Sequence, residues 1–436
     1  MDVVQASIPL FFLLIGLEVA VARLRRRPLY RLSDSISDLS CGILSQLAGI
    51  GIALATIAAF AWVSRHFAIQ HFTSLPEWIS RNPFPARDSF PGVALDLVAL
   101  ASWTAVFLLD DFAYYWMHRL SHVSNILWAG HVVHHSSEEF NLTVALRQSS
   151  LHGFMSWVFY MPLALLGVPV TMWLICHALN LVYQFWIHTR EVDRLGPLEW
   201  VLNTPSHHRV HHGVNPEYQD RNFAGVLIIW DRLFGTFEPE RAPVVYGITK
   251  PLLSWNPLWA NVHVFADITR NARATRGWRN RLRAVFGHPG WRPPETGAPT
   301  IPGAVSPETF VKFEPEVPDR LRLYALVQFV VVLLGSIALL EAAGSLRAGH
   351  LTAGIFYIAL SLVNIGGVLE ARSWASVSEV ARLTVLGGAA ALLWWQGTES
   401  GWILAGAMVF AVASLAWVVI LRPRFGPSDA RPVLVM

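Results

Sequence analysis

The sequence predicts an all-α, polytopic membrane protein whose helices cross the bilayer about eight or nine times. Two observations support this fold class. Of the 436 residues, 53% are hydrophobic and only 14% are charged, and the mean hydropathy of +0.42 is higher than an ordinary soluble domain would show. In addition, apolar runs of about 20 residues, the length that crosses the hydrocarbon as a helix, recur along the chain.

These runs predict spans at residues 5–22, 41–64, 92–110, 153–187, 322–344, 351–370, 380–396 and 401–421. The fourth run is long enough to form a hairpin that breaks at residues 167–169, where a glycine and a proline fall. The first run has no basic residue before it, so we interpret it as a retained anchor and not as a signal peptide.

Basic residues predict the orientation. Five arginines directly follow the first run: Arg23, Arg25, Arg26, Arg27 and Arg31. Because cytoplasmic loops carry an excess of Lys and Arg, this end is predicted to be cytoplasmic. Counting spans from there also places the stretches after residues 107 and 186, and the basic loop 270–283, in the cytoplasm. These arginines are not interleaved with stacking aromatics, so we expect no nucleic-acid partner.

Four blocks are predicted along the chain. Residues 1–112 form an N-terminal membrane block, 113–240 a histidine-box catalytic block with an embedded hairpin, 241–320 a cytoplasmic connector, and 321–436 a C-terminal four-span membrane block. Both cysteines, Cys41 and Cys176, fall in apolar runs, where a free thiol behaves as a small hydrophobe, so no disulfide framework is expected.

Histidines carry the main functional signal. Of 17 histidines, 12 lie between residues 118 and 212, and eight of these form three clusters: His118 and His122, then His131, His134 and His135, then His208, His211 and His212. In a helix, residues i and i+4 share a face, so each pair at that spacing can reach one ion while the third histidine of a triplet serves another. Pro205 suits the first turn of a helix that carries the last cluster.

Eight imidazoles exceed the needs of one tetrahedral zinc but suit two ions with open positions. His188 and His207 are further candidate ligands. Isolated histidines are expected only to line an aqueous boundary, and His152 and His177, in the hairpin, are left outside the predicted metal site. Spacing alone leaves iron, zinc, copper and nickel open.

Several neighbouring residues are predicted to support the site. Trp116, Trp128 and Trp186 are candidate walls of an apolar channel, while Glu138, Glu139, Asn141 and Arg147 could hydrogen-bond the imidazoles. The chain has no Gly-rich dinucleotide fingerprint and no Walker sequence, so any electrons must come from a separate donor. A zinc protease is disfavoured by the lack of a His-Glu-x-x-His sequence. A metal transporter or a haem-binding membrane protein stays open as a non-enzymatic alternative.

The three clusters, as H-x3-H, H-x2-H-H and a later H-x2-H-H on a membrane scaffold, resemble the fatty acid hydroxylase and sterol desaturase superfamily. The segments YYWMHR at 114–119, WAGHVVHHSSEEFN at 128–141, NTPSHHRVHHG at 203–213 and GVLIIWDRLFGTF at 225–237 resemble its alkylglycerol monooxygenase branch. The close likeness covers residues 108–240. It implies two iron ions held by the eight clustered histidines, with molecular oxygen as co-substrate.

The resemblance further implies an oxygen-dependent lipid monooxygenase with a cytoplasm-facing site. The expected reaction is hydroxylation of the carbon next to the ether oxygen of an alkylglycerol, with release of a fatty aldehyde. A sterol, carotenoid or fatty-acyl hydroxylase or desaturase of the same superfamily is the alternative. The implied electron donor is tetrahydrobiopterin, whereas other branches use a redox protein such as cytochrome b5 or ferredoxin.

Overall fold

The computed structural model describes residues 3–71, 97–293, 295, 305–397 and 401–426. The chain divides into two compact units: the first comprises Met1–Arg31, Ala48–Pro251 and Asn261–Phe310, and the second Leu32–Leu47, Leu252–Ala260 and Val311–Met436. Within the described residues the regular structure is helical, and extended pairing is limited to two isolated bridges, Leu202 with Leu227 and Gly213 with Tyr246. The all-α prediction is therefore confirmed.

The first unit contains the elements that position the histidines. In chain order, its helices are α1 (Val3–Leu24), the later part of α2 (Leu32–Phe67), α3 (Leu97–Val123), α4 (Asn125–Ala129), α5 (Val132–His135), α6 (His152–Ser156), α7 (Met161–Leu165), α8 (Val170–Trp186), α9 (Pro205–His211), α10 (Ile229–Leu233), most of α11 (Pro257–Ala274), and α12 (Trp278–Phe286). The second unit is built mainly from α13 (Asp319–Ala342), α14 (Ala348–Leu369), α15 (Ser373–Trp395) and α16 (Gly401–Leu421).

Six stretches of the described chain are long and apolar enough to cross a membrane: Ala6–Leu24, Leu32–His71, Asp319–Ala342, Ala348–Leu369, Ser373–Trp395 and Gly401–Arg424. They coincide with six of the predicted runs. Of the run at 92–110, residues 92–96 lie outside the described residues, and the rest belongs to α3. Neither α3 nor the 153–187 hairpin meets the same length and hydropathy criteria, so the total of eight or nine spans stays a prediction.

The predicted hairpin does turn where the sequence indicated. The helices α6 and α7, with a 3-10 turn at Trp157–Tyr160 between them, form its first arm, and α8 forms its second. Gly167 has φ of +77°, a conformation that an L side chain would strain, and Pro169 is the residue before α8. This geometry explains why a single apolar run folds into two short arms and not into one long helix.

An apolar core holds α3 and α8 together. The rings of Phe60 and Trp173 stack with their centroids 4.2 Å apart, and Val106, Leu163 and Cys176 are buried beside them. Cys176 and Cys41 are both buried and neither forms a disulfide, as predicted. Because α3 continues from this core to His118 and His122, the core sets the position of the first histidine pair.

Polar residues are buried inside the second unit. Glu379 of α15 accepts hydrogen bonds from the hydroxyl of Tyr324 at 2.5 Å and from Nε of Arg382 at 2.8 Å. The Arg382 guanidinium also donates to the side-chain oxygen of Gln328 at 2.5 Å. In an apolar bundle such a paired set is expected only when each charge has partners, as is the case here.

Candidate metal centre

Each histidine cluster lies at the end of a short or terminating helix. His118 and His122 occupy the last turns of α3, one turn apart on the same face. His131 immediately precedes α5, which carries His134 and His135. The last cluster occupies α9, with Pro205 as its first residue and His212 just after its end. The structure therefore confirms the helical spacing of these histidines and the start of the final helix at a proline.

Among the described residues, nine histidines form two groups in which potential ligand atoms lie within 4.8 Å of one another. The first group contains His118, His122, His131, His135 and His211, and the second contains His134, His188, His208 and His212. All nine side chains are buried. Each triplet divides as helical geometry requires: its i and i+4 members share one group and the remaining member joins the other. The arrangement can hold two ions.

Backbone carbonyls orient the rings of the first group. Nδ1 of His118 lies 2.7 Å from the carbonyl of Phe223, and Nδ1 of His211 lies 2.9 Å from the carbonyl of Arg221. A carbonyl can only accept, so each of these Nδ1 atoms carries the hydrogen and each Nε2 offers a lone pair. Nε2 of His118 lies 2.9 Å from Nε2 of His131, and Nε2 of His211 has no hydrogen-bond partner. These lone pairs point into the group, where a cation would accept them.

The second group gives a sharper test of whether a metal fits. Nδ1 of His134 donates to the carbonyl of Arg147 at 3.1 Å, and Nδ1 of His188 donates to the carbonyl of Gln184 at 2.8 Å. Both Nε2 atoms therefore carry lone pairs, yet they lie 3.2 Å apart, and Nε2 of His208 lies 2.9 Å from that of His188. Two facing lone pairs repel at this distance unless a cation lies between them. The donor set fits a transition metal ion.

Burial also keeps these imidazoles neutral, which metal binding requires. Burial lowers the pKa of His188 to about 3 and the pKa of His211 to about 4, while carbonyl hydrogen bonds oppose the shift. Burial, together with the neighbouring imidazoles, holds the pKa of His118 and of His135 well below the usual value. At neutral pH the rings therefore present unprotonated nitrogens.

Of the two further candidate ligands, His188 and His207, the structure places one within a histidine group. His188 belongs to the second group. His207 lies outside both: its Nε2 is 4.0 Å from Glu199, and its side chain lines a separate cavity of about 380 Å³ with Trp200 and Arg232. As its neighbour His208 lies in the second group, the two side chains leave α9 in different directions, which adjacency in sequence could not reveal.

Only part of the predicted supporting set lies against the histidines. The ring of Trp128 lies 5.1 Å from that of His122 and 5.5 Å from that of His135. Trp116 instead packs on Phe234, and Trp186 packs on Tyr183.

The four polar residues predicted to hydrogen-bond the imidazoles have different partners in the structure. The carbonyl of Arg147 accepts from His134, and its guanidinium donates to the carbonyl of Val133 at 2.7 Å. Glu138 and Glu139 both pair with Arg31, and the side chain of Asn141 donates to the carbonyl of Leu29. Arg147 thus contacts a clustered histidine through its backbone carbonyl.

Two buried contributors were not anticipated. The ring of Phe140 lies 5.6 Å from His188 and 5.2 Å from His212, closing one side of the second group. Asp231 accepts hydrogen bonds from the backbone N–H groups of Phe223 and Ala224, both at 2.8 Å. Asp231 thereby fixes the carbonyl of Phe223, which accepts the hydrogen bond from His118. In the sequence, the signal that could have indicated this role was an acidic residue within the mainly apolar segment 225–237.

Comparison with known proteins agrees with this geometry. The family model for fatty acid hydroxylase matches residues 103–236, the stretch that contains all nine histidines. Alkylglycerol monooxygenase of Xenopus tropicalis is 36% identical over 384 residues, which is 87% of this chain and 80% of that protein. The Homo sapiens enzyme of the same name is 37% identical, and the Danio rerio enzyme 38%, each over 81% of its own length.

No solved structure matches the chain. The likeness to the three enzymes extends well beyond the histidine block, since it covers 87–88% of this chain. The chain therefore belongs to the alkylglycerol monooxygenase family of fatty acid hydroxylases, a family of oxygen-dependent oxidoreductases.

Proposed function

We propose that this protein is a di-iron monooxygenase that hydroxylates an alkylglycerol at the carbon next to the ether oxygen. The observation that carries the proposal is the pair of buried imidazole groups in a chain that aligns over most of its length with alkylglycerol monooxygenases. One oxygen atom would enter the C–H bond and the other would leave as water, with two electrons and two protons from a donor. The resulting hemiacetal would break into a fatty aldehyde and glycerol.

We assign one iron to each histidine group, with His188 as a ligand and His207 outside the set. When bound, the iron pair would supply oxygen activation. The chain's own task would be to keep nine rings in place, and the hydrogen bonds from Nδ1 to backbone carbonyls support this, because they fix both the tautomer and the ring direction. The rings of Trp128 and Phe140 would exclude water from the two groups.

We further infer that the protein is a multi-pass membrane protein with about eight or nine spans and with its site on the cytoplasmic side. The six long apolar helices support a membrane location. A lipid substrate could then keep its alkyl tail in apolar surroundings while its ether carbon reaches the histidines. We propose tetrahydrobiopterin as electron donor, as the resemblance to this branch implies, with a redox protein as the alternative.

The experiment is an aldehyde assay on the iron-reconstituted full chain in lipid nanodiscs, with an alkylglycerol, isotope-labelled oxygen and tetrahydrobiopterin. We expect close to two irons per chain and a fatty aldehyde that carries the label, because the inserted hydroxyl becomes the carbonyl oxygen. Retained iron without aldehyde would transfer the proposal to a sterol, carotenoid or fatty-acyl substrate, and a chain that binds no iron would overturn the di-iron assignment.

Three variants separate the ligand groups. His118→Ala and His188→Ala each remove one imidazole from a different group, so each should lower bound iron and abolish aldehyde release. His207→Gln is the matched control, since its side chain lies outside both groups. Loss of iron from His207→Gln comparable with that from His188→Ala would contradict the proposed ligand set.

A further inference from the structure

The nine-residue helix α12 has two faces of different character. One face packs on α4: Ala284 is 2% exposed, its carbonyl accepts from the side chain of Asn125, and the carbonyl of Gly287 accepts from the Asn125 backbone, both at 2.8 Å. At 100° per residue, Trp278, Leu282 and Phe286 fall on the opposite side. Their exposures are 68%, 49% and 61%. An apolar stripe therefore faces away from the protein.

Arginines flank this stripe on both sides. Arg279 and Arg283 project on one side of it and Arg281 on the other, and all three are exposed. The guanidinium of Arg279 lies 5.5 Å from the ring centre of Trp278. The helix sequence WRNRLRAVF contains no acidic residue. A cationic helix that turns a row of large apolar side chains outward is typical of helices that lie in a membrane interface.

We propose that α12 lies in the plane of an anionic membrane surface, with Trp278, Leu282 and Phe286 inserted at the boundary between headgroups and acyl chains. Nine residues extend only about 14 Å, far less than the hydrocarbon thickness, so the helix cannot span. Anionic headgroups would pair with the three arginines. A second copy fits less well, since a two-fold contact through this face would bring arginines against arginines.

The proposed contact would bring the lipid surface close to the first histidine group. The helix α4, on which α12 packs, contains Trp128, whose ring lies 5.1 Å from that of His122. Two residues after the end of α12, Nε2 of His288 lies 3.3 Å from one carboxylate oxygen of Asp220. The other carboxylate oxygen of Asp220 lies 3.8 Å from Nδ1 of His122. A substrate leaving the bilayer at α12 would thus start near the metal centre. The proposal rests on the membrane location proposed above, and not on the reaction.

A spin-label scan of the full chain in nanodiscs tests this proposal. The native thiols, Cys41 and Cys176, are buried, so a nitroxide can be directed to Leu282→Cys or to Arg281→Cys, adjacent positions about 100° apart on the helix. In bilayers that contain phosphatidylserine, we expect the label at 282 to be several-fold less accessible to a water-soluble nickel relaxant than the label at 281, and more accessible to oxygen. Equal accessibility of the two labels would overturn the proposal.

Two further measurements test whether something other than an anionic membrane contacts the apolar stripe of α12. Dipolar broadening between labels at 282 that disappears on dilution with unlabelled protein would assign the stripe to a second copy. Protection that is equal in neutral and anionic bilayers would overturn the assignment to an anionic surface. Because iron content and aldehyde release are measured separately, an active, iron-loaded protein with a water-exposed 282 label would refute this inference and leave the proposed function intact.

Discussion

Asp231→Asn tests whether a buried carboxylate positions a histidine of the first group. One carboxylate oxygen accepts from the N–H of Phe223 at 2.8 Å and from the Thr236 hydroxyl at 2.6 Å, and the other accepts from the N–H of Ala224 at 2.8 Å. The carbonyl of Phe223 in turn accepts a hydrogen bond from Nδ1 of His118 at 2.7 Å. Asp231 thus fixes the peptide that orients this ring.

The expected magnitude follows from these contacts. Asparagine can keep one accepting oxygen, but its amide nitrogen would face a backbone N–H that then has no acceptor, and a buried unsatisfied donor costs about 1–3 kcal/mol. Burial raises the pKa of the Asp231 carboxyl, so removing its charge relieves some desolvation. We therefore expect a loss of about 1–3 kcal/mol in the free energy of unfolding. Misorientation of His118 should also lower iron affinity by about 10–100-fold.

Two assays on the same sample separate these effects: thermal unfolding in detergent, and iron affinity by competition with a chelator. Asp267→Asn is the matched control, because Asp267 forms ion pairs only with exposed partners among the described residues: Arg270 at 3.0 Å and Lys250, each with its side chain 70% exposed. Each such pair contributes at most about 1 kcal/mol. If Asp231→Asn lost stability but kept the iron affinity of the control, the proposed link from Asp231 to His118 would be refuted.

Three further predictions concern other buried groups. Glu379→Leu should destabilise the second unit by about 3–5 kcal/mol, because it leaves Arg382 buried without its carboxylate; adding Arg382→Met should restore much of the loss, and equal melting temperatures for the single and double variants would contradict this. In the apoprotein, burial lowers the pKa of His188 to about 3 and of His211 to about 4, below about 6.5 in an unfolded chain. The unfolded chain binds more protons in that window, so apoprotein stability should fall as the pH drops from about 6.5 toward 4, by up to about 1.4 kcal/mol per pH unit for each histidine; a flat acid profile in thermal unfolding would disprove it. Glu18→Ala should lower iron occupancy of the second group, because Glu18 holds residues next to two rings of that group: it accepts hydrogen bonds from the hydroxyl of Thr189, which follows His188, and from the backbone N–H of Leu142, two residues after Phe140, at 2.9 Å. Iron per chain equal to that of wild type would contradict this prediction.

Features that depend on neighbours in sequence were predictable. The break of the hairpin follows from a glycine with positive φ and a proline two residues later. The division of each histidine triplet follows from the 3.6-residue period, so two ions could be predicted before any coordinates. The length of an apolar run likewise predicts a helix, but not whether α3 and the hairpin cross the membrane, because that depends on packing partners.

By itself, the sequence determined the helical class, the long apolar helices and the grouping of imidazoles by helical face, since each depends on side chains within a few turns of one another. Tertiary structure decided which distant groups meet. The sequence offered both His188 and His207 as further candidate ligands. In the structure, Nε2 of His188 lies 3.2 Å from that of His134, whereas Nε2 of His207 lies 4.0 Å from Glu199. The carbonyls that orient the rings come from peptides up to 105 residues away, and a carbonyl carries no side-chain signature. Local periodicity therefore predicts ligands, whereas packing selects them and holds their rings.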